Sequence, residues 1–382
     1  MDQEQQRQFF ALLRAGMWST PADPELFSGA IHWDAIFAQA SRQTVQGFVA
    51  KAASTLPIGL HPPASVLNKA REIVVATIRS HALLNRTLAE AVMMLTQNGI
   101  CPVLLKGQGA AMNYEYPTLR ICGDIDLYIG TLHYDKACIL ARQWGETEEE
   151  TTESDKHYHF CHAGVTVEFH RIAERLPLPW RNTRFQRWSH RHLHEDRLRP
   201  VKIGGVSVWL PPVNFDALYI FNHAWHHFLK GGGVGWRQLC DWVRYLHTFH
   251  HEIDRAELEK DLHAFGLWKP WRIFGSIAVD TLGLPREEFP FYTDRHDGQA
   301  AVVVEMIEAG GNFGFFNAAR FGRPEGYIAG KWHSFAKASH HFMKLFSIFP
   351  GQVTATWGSY LYIGIKQVIK DLFTLKSVGI KP

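Results

Sequence analysis

Two aspartates, Asp124 and Asp126, lie two residues apart in an apolar stretch of the chain. If this stretch is a strand, its side chains alternate between the two faces, so both carboxylates share one face, about 7 Å apart along the chain. Two acids in this arrangement repel each other unless a cation lies between them. Mg²⁺ is the simplest cation for this position, because it prefers carboxylate oxygens and keeps coordination positions open for phosphate.

A third carboxylate, Glu168, is the only acid in residues 165–170, another stretch in which apolar and polar residues alternate. The alternation predicts a strand on which Thr166, Glu168 and His170 share one face. If this strand pairs beside the strand of the two aspartates, Glu168 completes a cluster of three carboxylates. A charged side chain on such a strand is ordinarily a solvated surface group, so the prediction depends on that pairing.

A short apolar stretch, residues 103–105, leads into Lys106-Gly107-Gln108. We expect a strand there, followed by a helix from Gln108 to about Glu115. A strand, a tight glycine turn and a helix N-terminus with a lysine are a common arrangement for binding phosphate, through backbone N–H groups and the helix dipole. Lys106, Gly107 and Gln108 are therefore candidate phosphate-binding residues, with a plain turn as the alternative interpretation.

Arg120 precedes Asp124 by four residues. A guanidinium at this position has two possible roles, a clamp on phosphate or an ion pair that neutralises the neighbouring acids, and we expect the clamp. An Asp-x-Asp pair by itself is weak evidence for catalysis, because surface strands often carry acids. The order and spacing of Lys106-Gly107, the aspartate pair and Glu168 together favour a catalytic site.

A second group of polar residues lies further along the chain, where His223 and His227 are four residues apart, as are Arg237 and Asp241. In helices this spacing places each pair on one face. The two histidines have a spacing seen in zinc sites, but no third ligand follows at a telling distance. We therefore expect a structural role, in which histidine and aspartate form hydrogen bonds between two helices.

The composition is that of a globular protein with more than one core, since 46% of the 382 residues are hydrophobic and 20% are charged. The net charge of +3 gives no strong indication of nucleic-acid binding. Five cysteines without paired spacing do not predict a disulfide or zinc framework. The N-terminus does not resemble a signal peptide and no run of eighteen apolar residues predicts a membrane span, so we expect a cytoplasmic protein.

Hydrophobic periodicity divides the chain into an N-terminal helical region, a mixed core and a C-terminal helical region: residues 1–100, 101–212 and 213–382. The first region contains a long helical pattern over Val66–Thr96. The core contains the strands above, a helix over Tyr134–Trp144 and a hairpin that turns at Gly204-Gly205. We expect residues 340–350 and 357–365 to form a pair of core helices rather than a membrane-docking surface. The fold class predicted is α+β, a small mixed sheet flanked by helices at both ends.

The order of these motifs resembles the nucleotidyltransferase fold of the DNA polymerase beta superfamily. Within it, the chain is most similar to the family of uncharacterised nucleotidyltransferases. The resemblance rests on the Lys106-Gly107 turn, the Gly-Asp-Ile-Asp-Leu sequence from Gly123, the Val-Glu-Phe-His sequence from Val167, and the His and Arg-Asp helices of residues 216–241. The chain departs from the superfamily at Gly107-Gln108, where Gly-Ser is usual, so phosphate binding is expected from Lys106 and backbone amides.

This resemblance implies that an NMP group moves from an NTP to a hydroxyl or phosphate of an acceptor and that pyrophosphate is released, a reaction of the EC 2.7.7 type. Two Mg²⁺ or Mn²⁺ ions would be held by Asp124, Asp126 and Glu168. Arg237 would reach the triphosphate or the base from the helical region.

The acceptor is not specified by the sequence, although the modest charge favours a small molecule, a sugar, or a peptide or protein hydroxyl over nucleic acid. Two other functions fit the same motifs. One is a sensor that binds NTP and Mg²⁺ without turnover, and the other is an enzyme that transfers AMP to a partner protein. The presence of Glu168 argues against the sensor, because binding alone does not need the third carboxylate.

Overall fold

The computed structural model describes residues 1–145, 156–230, 233–312 and 327–377. Six strands form one mixed sheet, namely β1 (Val103–Leu105), β2 (Asp124–Tyr128), β3 (His157–His162), β4 (Val165–His170), β5 (Arg199–Ile203) and β6 (Val206–Leu210). Their order across the sheet is β3-β4-β2-β1-β6-β5. The predicted strands of the core and the Gly204-Gly205 hairpin are confirmed.

Strand pairing sets the positions of the acidic residues. Strands β2 and β4 run parallel, and Asp126 is the register partner of Glu168. Strand β1 pairs antiparallel with β2 on the other side, which places Leu105 opposite Asp126. Residue Lys106 follows at the end of β1 and therefore begins its turn next to the aspartate pair. The expectation that the strand of Glu168 lies beside the strand of the aspartates is confirmed.

Helices flank the sheet at both ends of the chain. The first region contains α1 (Gln3–Trp18), α2 (Trp33–Arg42), α3 (Gln46–Ala53) and α4 (Ala64–Gln97). Between the strands lie α5 (Gly107–Ala111), α6 (Gly130–Trp144) and α7 (Pro179–His192). The last region contains α8 (Val213–Leu229), α9 (Trp236–Phe249), α10 (Arg255–Phe265), α11 (Trp268–Ser276), α12 (Asp297–Gly310), α13 (Tyr327–Phe346) and α14 (Pro350–Ser377). The α+β class is confirmed.

Two of the predicted helices have different bounds. The helix expected over residues 108–115 ends at Ala111, because a further turn and a 3₁₀ segment at Pro117 bring the chain back to β2. The helix expected from Tyr134 begins one turn earlier, at Gly130. Between α8 and α9, Gly233 has a φ of 88°, in the left-handed region that favours glycine.

The alternation along β2 and β4 separates the sheet into an apolar and a polar face. Ile125, Leu127, Val167 and Phe169 are fully buried and pack against the apolar sides of α4 and α6. Asp124, Asp126, Glu168 and His170 are therefore on the opposite face, which is covered by the C-terminal helices rather than by α4. Burial of one face thus fixes where the carboxylates point.

A second hydrophobic core joins the two ends of the chain. Helices α1–α3 share it with α8–α12, and Phe10 contacts Trp236 edge-to-face with ring centroids 5.0 Å apart. The buried Gln43 side chain donates to the Ile307 carbonyl and accepts from the Trp236 backbone N–H. The three-region division of the chain stays a prediction, since its first and last regions meet in this core.

The apolar segments near the C-terminus are partly covered. Phe342, Leu345, Phe349 and Val353 are buried in the second core, as expected for core helices. Further along α14 the expectation of a core helix is wrong for most of residues 357–365, because several apolar side chains there are exposed: Tyr360, Leu361, Tyr362, Ile363 and Ile365. Among the described residues, no helix is both long and apolar enough to cross a membrane.

Helix α1 contacts α3 closely at Gly16, and this contact leads to a prediction about stability. A Cβ at this position would overlap the backbone carbonyl of Phe48, and a backbone carbonyl cannot rotate away. Helix propensity alone favours alanine over glycine by about 1 kcal/mol. The overlap outweighs this preference, so Gly16→Ala should lower the free energy of unfolding by about 1–3 kcal/mol.

Chemical denaturation measures this change, with Gly358→Ala in α14 as the matched control. A Cβ at Gly358 meets no heavy atom within 4 Å, so that variant should be as stable as the parent or slightly more so. A Gly16→Ala protein as stable as the Gly358→Ala protein would contradict the close packing of α1 on α3.

Candidate active site

The three predicted carboxylates meet on the polar face of the sheet. Asp124 and Asp126 lie on the same side of β2, and Glu168 lies beside Asp126 on β4. Asp126 is buried, whereas Asp124 and Glu168 are partly exposed. A cluster of this kind is electrostatically unfavourable without positive charge nearby, so the groups that surround it decide its chemistry.

Two cationic or ionisable groups contact Asp126. The Lys106 ammonium lies 3.2 Å from Oδ1, and Nε2 of His170 donates to the same oxygen at 2.9 Å. Nε2 of His170 also lies 3.3 Å from Oε2 of Glu168. His170 therefore connects the second and third carboxylates, a role that the sequence analysis did not assign to it.

The two aspartates have opposite pKa shifts. The negative charge of Asp126, together with burial, raises the pKa of Asp124 to about 6. Burial also acts to raise the pKa of Asp126, but Lys106 and His170 overcome it and hold that pKa below its usual range. Asp126 is thus the permanently ionised member of the pair. Asp124 is the member whose ionisation in the folded protein is unfavourable.

The turn after β1 positions Lys106. Lys106 has a φ of 55° and Gly107 a φ of 47°, so the chain passes through two left-handed residues before α5 begins. This conformation is unusual for a lysine and brings its backbone close to β2. The neighbouring Gln108 is buried, and its amide has no hydrogen-bond partner among the residues that the structure describes.

Arg120 forms a buried ion pair with Asp241 rather than with Asp124 or Asp126. Its Nη2 lies 2.6 Å from Oδ2 of Asp241, and its Nε donates to Oδ1 of the same residue at 3.1 Å. Its remaining Nη1 donates to the Ile121 carbonyl and the Cys122 sulfur. Asp241 also accepts from the Tyr114 hydroxyl. All of the guanidinium nitrogens of Arg120 are therefore engaged within the protein.

Arg237 differs from Arg120 in this respect. Its Nη1 donates to the Ile121 carbonyl at 2.6 Å, while its buried Nε has no hydrogen-bond partner among the described residues. Its positive charge acts to lower the pKa of Asp124, and burial lowers its own pKa. Arg237 thus brings a cation with an unused donor close to the carboxylates.

A pocket of about 520 Å³, including the part open to solvent, lies over these residues. Its lining contains six of the eight predicted site residues, together with residues of α5, α8 and α9: Lys106, Gly107, Ala110, Arg120, Asp124, Asp126, Ile220, His223, Arg237, Gln238 and Asp241. Glu168 and Gln108 are not part of this lining.

A model of the family described as "Uncharacterised nucleotidyltransferase" matches residues 29–283, more than half of the chain. The chain belongs to this family. The match runs from just before α2 to just after α11 and so contains the whole sheet, the pocket and both helices that cover it. Comparisons with curated proteins and with solved structures gave no significant match.

Membership of the nucleotidyltransferase family supports a general role in nucleotidyl transfer and an NTP substrate. It confirms the resemblance that the sequence motifs indicated. The match also extends well beyond the motif-bearing residues, to helices of the N-terminal region.

The histidines of α8 do not form the hydrogen bonds expected from the sequence. Asp241 pairs with Arg120 and Tyr114, whereas Nε2 of His223 lies 3.5 Å from the Lys106 ammonium. Nδ1 of His223 lies 3.7 Å from a carboxylate oxygen of Glu174. The expected His–Asp contact between α8 and α9 is therefore wrong, because each residue has a nearer partner from the sheet region.

Glu174 is a buried acid that sequence reasoning missed. It lies just after β4, where it accepts from Lys156 at 2.9 Å and from the backbone of Arg175. Contacts with basic groups, including His223, outweigh burial and hold the pKa of Glu174 well below its usual range. Burial lowers the pKa of His223 itself to about 4, so this ring is neutral at pH 7 and can accept a hydrogen bond from Lys106.

The raised pKa of Asp124 predicts a pH-dependent stability. The folded protein binds this proton more tightly than the unfolded chain, so the contribution of Asp124 to the free energy of unfolding falls as pH rises from about 4 to 6. Asp124→Asn removes the charge and should make the EDTA-treated protein more stable above pH 6, by about 3 kcal/mol at most. Below pH 4 the difference should vanish, because Asp124 is then protonated in both states.

Urea unfolding of both proteins across pH 4–8 tests this prediction, with Asp135→Asn as the control. Asp135 is exposed on α6 and pairs with Arg171 at the surface. A constant difference between Asp124→Asn and the parent protein at every pH would contradict the assigned shift.

Proposed function

We propose that this chain transfers an NMP group from an NTP to an acceptor hydroxyl or phosphate, with release of pyrophosphate, a reaction of the EC 2.7.7 type. The observation that carries the proposal is the register of β2 and β4, which brings Asp124, Asp126 and Glu168 together beside Lys106. Two carboxylates and a lysine in the lining of a pocket, with a third carboxylate paired beside them, are suited to bind a cation together with a polyphosphate.

The residues present fit a divalent metal. Lys106 and His170 both contact Oδ1 of Asp126, and neither contacts Oδ2 in the described part of the chain. Asp124 adds a carboxylate whose ionisation is unfavourable because Asp126 is so near. Asp124, Asp126 and Glu168 would hold Mg²⁺ or Mn²⁺, two ions in all. When bound, these ions neutralise phosphate charge and lower the pKa of the acceptor hydroxyl.

The residues of the chain itself would position the phosphates. Lys106 keeps Asp126 ionised and presents its ammonium at the pocket, where it balances the charge of the leaving pyrophosphate. Arg237 is the better phosphate contact of the two arginines, because its Nε is an unused donor whereas every guanidinium nitrogen of Arg120 already has a partner. Arg120 then acts as a positioning residue, which fixes Asp241 and the backbone before Asp124.

Transfer forms one bond between the acceptor oxygen and the α-phosphorus and breaks the bond from that phosphorus to the bridging oxygen of pyrophosphate. The proton of an acceptor hydroxyl passes to water as the bond forms, whereas an ionised phosphate oxygen has no proton to lose. Most of the rate enhancement in such a site comes from positioning and charge neutralisation. The modest net charge of +3 favours a small molecule, a sugar, or a peptide or protein as the acceptor over nucleic acid.

Pyrophosphate release tests the proposal, with each of the four NTPs, Mg²⁺ or Mn²⁺, and a cell extract as the source of acceptor. The control is the Asp124→Ala/Asp126→Ala double variant, with Asp135→Ala as the matched surface variant. Release that depends on the two pocket acids supports the proposal. An α-labelled NTP then marks the acceptor, and label on a protein band identifies a protein-modifying enzyme.

Two results would overturn the proposal in different ways. Metal-dependent NTP binding without release, lost in the double variant, indicates a sensor. Neither binding nor release with any NTP indicates that the carboxylate cluster has another purpose.

A further inference from the structure

The polar face of the sheet continues past Glu168 onto the edge strand. Strand β3 pairs antiparallel with β4, and His157 is the register partner of His170, while His159 is the register partner of Glu168. Directly paired residues share a face, so two histidines of β3 lie beside the acidic group of β4. The proposed function uses neither of them.

Three of these side chains converge. One ligand atom each of His157, Glu168 and His170 lies within 4.8 Å of the other two. The rings of His157 and His170 are 5.2 Å apart, centroid to centroid. Tetrahedral coordination at zinc bond lengths needs ligand atoms about 3.4 Å apart. Side-chain rotations that move these atoms by about 1 Å would bring them to that spacing.

An independent observation concerns the free side of the His170 ring. The His170 side chain is only 3% exposed, and its Nδ1 is buried without a hydrogen-bond partner among the residues that the structure describes. Nε2 donates its proton to Asp126, so a metal ion that replaces the other ring proton would bind at Nδ1. A carboxylate that binds one ring nitrogen and orients the other towards a metal is a recurrent arrangement in metal sites.

We propose that His157, Glu168 and His170 form a binding site for a divalent transition-metal ion, with Zn²⁺ as its representative. Imidazole nitrogens favour Zn²⁺ and Co²⁺ over Mg²⁺, which prefers oxygen ligands only. Two histidines and one glutamate leave the remaining coordination positions to water. The site is distinct from the Asp124–Asp126 pair, and it rests on the proposed function only in that Glu168 is shared between them.

The shared carboxylate gives the ion a defined place in the molecule. Oε2 of Glu168 lies 3.3 Å from Nε2 of His170, the nitrogen that also contacts Asp126, so Oε1 of Glu168 is the oxygen left for an ion at Nδ1. An ion held there would tie β3 to β4 and fix Glu168 and His170 relative to Asp126. Binding should therefore stabilise the folded protein by mass action, in addition to any effect on turnover.

The test measures metal binding without nucleotide, so its outcome does not depend on whether the chain transfers NMP. EDTA-treated protein is dialysed against Zn²⁺, and bound metal is quantified. Co²⁺ is then added and its visible absorption is recorded. One equivalent of Zn²⁺ is expected, together with a Co²⁺ spectrum of nitrogen and oxygen ligation that lacks the thiolate bands expected if any of the five cysteines binds.

Variants assign the bound ion to its ligands. His157→Ala should weaken Zn²⁺ binding by about 10- to 100-fold. His157→Cys, which replaces one zinc ligand by another, should restore much of it. His159→Ala is the matched control, since His159 lies on the same face of the same strand but outside the cluster, and it should bind Zn²⁺ like the parent protein. Circular dichroism and the melting temperature in EDTA check that each variant is folded.

Three results would overturn the proposal. One is parent protein that binds no Zn²⁺ or Co²⁺. Another is His159→Ala protein that loses as much affinity as His157→Ala protein. The third is Asp124→Ala protein that loses the bound Zn²⁺, which would place the ion at the aspartate pair instead.

Discussion

Asp126→Asn should reduce NMP transfer by about a thousandfold or more, because a carboxylate at the centre of the site is replaced by a neutral group of the same shape. Asp126 accepts from both Lys106 and His170 and is the permanently ionised member of the aspartate pair. Its loss leaves the buried Lys106 ammonium without its nearest counter-charge. The same change should return the pKa of Asp124 from about 6 towards its usual range, since Asp126 is the main cause of the shift.

Pyrophosphate release at saturating NTP measures the loss, and the NMR titration of Asp124 measures the pKa. Asp135→Asn is the control, since Asp135 is also an aspartate with an arginine partner but lies on the surface. If Asp126→Asn does not fold, Glu168→Gln tests the same cluster at a partly exposed position. Turnover within tenfold of the parent protein in a folded Asp126→Asn variant would rule out the proposed chemistry.

Asp241→Ala should lower the free energy of unfolding by about 3–5 kcal/mol, because it leaves the Arg120 guanidinium buried without its counter-charge. The pair is only 5% exposed on either side, and the Tyr114 hydroxyl loses its acceptor at the same time. The double variant Arg120→Met/Asp241→Leu should recover much of the loss, since it buries no charge. Guanidinium or urea denaturation of the parent protein and the two variants measures the loss and the recovery.

The ion pair of Arg171 and Asp135 is a solvent-exposed comparison for the buried pair of Arg120 and Asp241. Its side chains are 37% and 85% exposed, so Asp135→Ala should cost no more than about 1 kcal/mol. If Asp241→Ala and Asp135→Ala lower the free energy of unfolding equally, the buried ion pair contributes no more to stability than the surface one. A double variant less stable than Asp241→Ala would show that the site cannot accommodate apolar side chains.

The acidic part of the site could be predicted from the sequence because its signals are local. Alternation along residues 165–170 and the spacing of Asp124 and Asp126 each specify which face of a strand a carboxylate takes. Only the pairing of the two strands had to be assumed, and the structure brings Asp126 into register with Glu168. Lys106 and the glycine turn were likewise visible as an interruption between an apolar strand and a helix.

The partners of the arginines could not be predicted, because they come from distant parts of the chain. Arg120 and Asp241 are 121 residues apart in sequence, and Lys106 and His223 are 117 apart. Position relative to Asp124 suggested Arg120 as a phosphate clamp, but its nitrogens are all engaged inside the protein, and Arg237 has the unused donor. The sequence identified His170 only as a polar residue on the same face as Glu168. Since Glu168 pairs with Asp126, that position already placed His170 close to Asp126.

The shared core of the two chain ends has a consequence for synthesis on the ribosome. Gln6 and Glu308 form a hydrogen bond across 302 residues of sequence. At elongation rates of about 5–20 residues per second, roughly 15–60 s separate the synthesis of these two partners. Helices α2 and α3 are available to pack on α1 early, but Phe10 of α1 lacks its native contact until Trp236 of α9 has been made. The N-terminal helices therefore complete their packing only after most of the chain has emerged, and the nascent protein presents an apolar surface for chaperone binding until then.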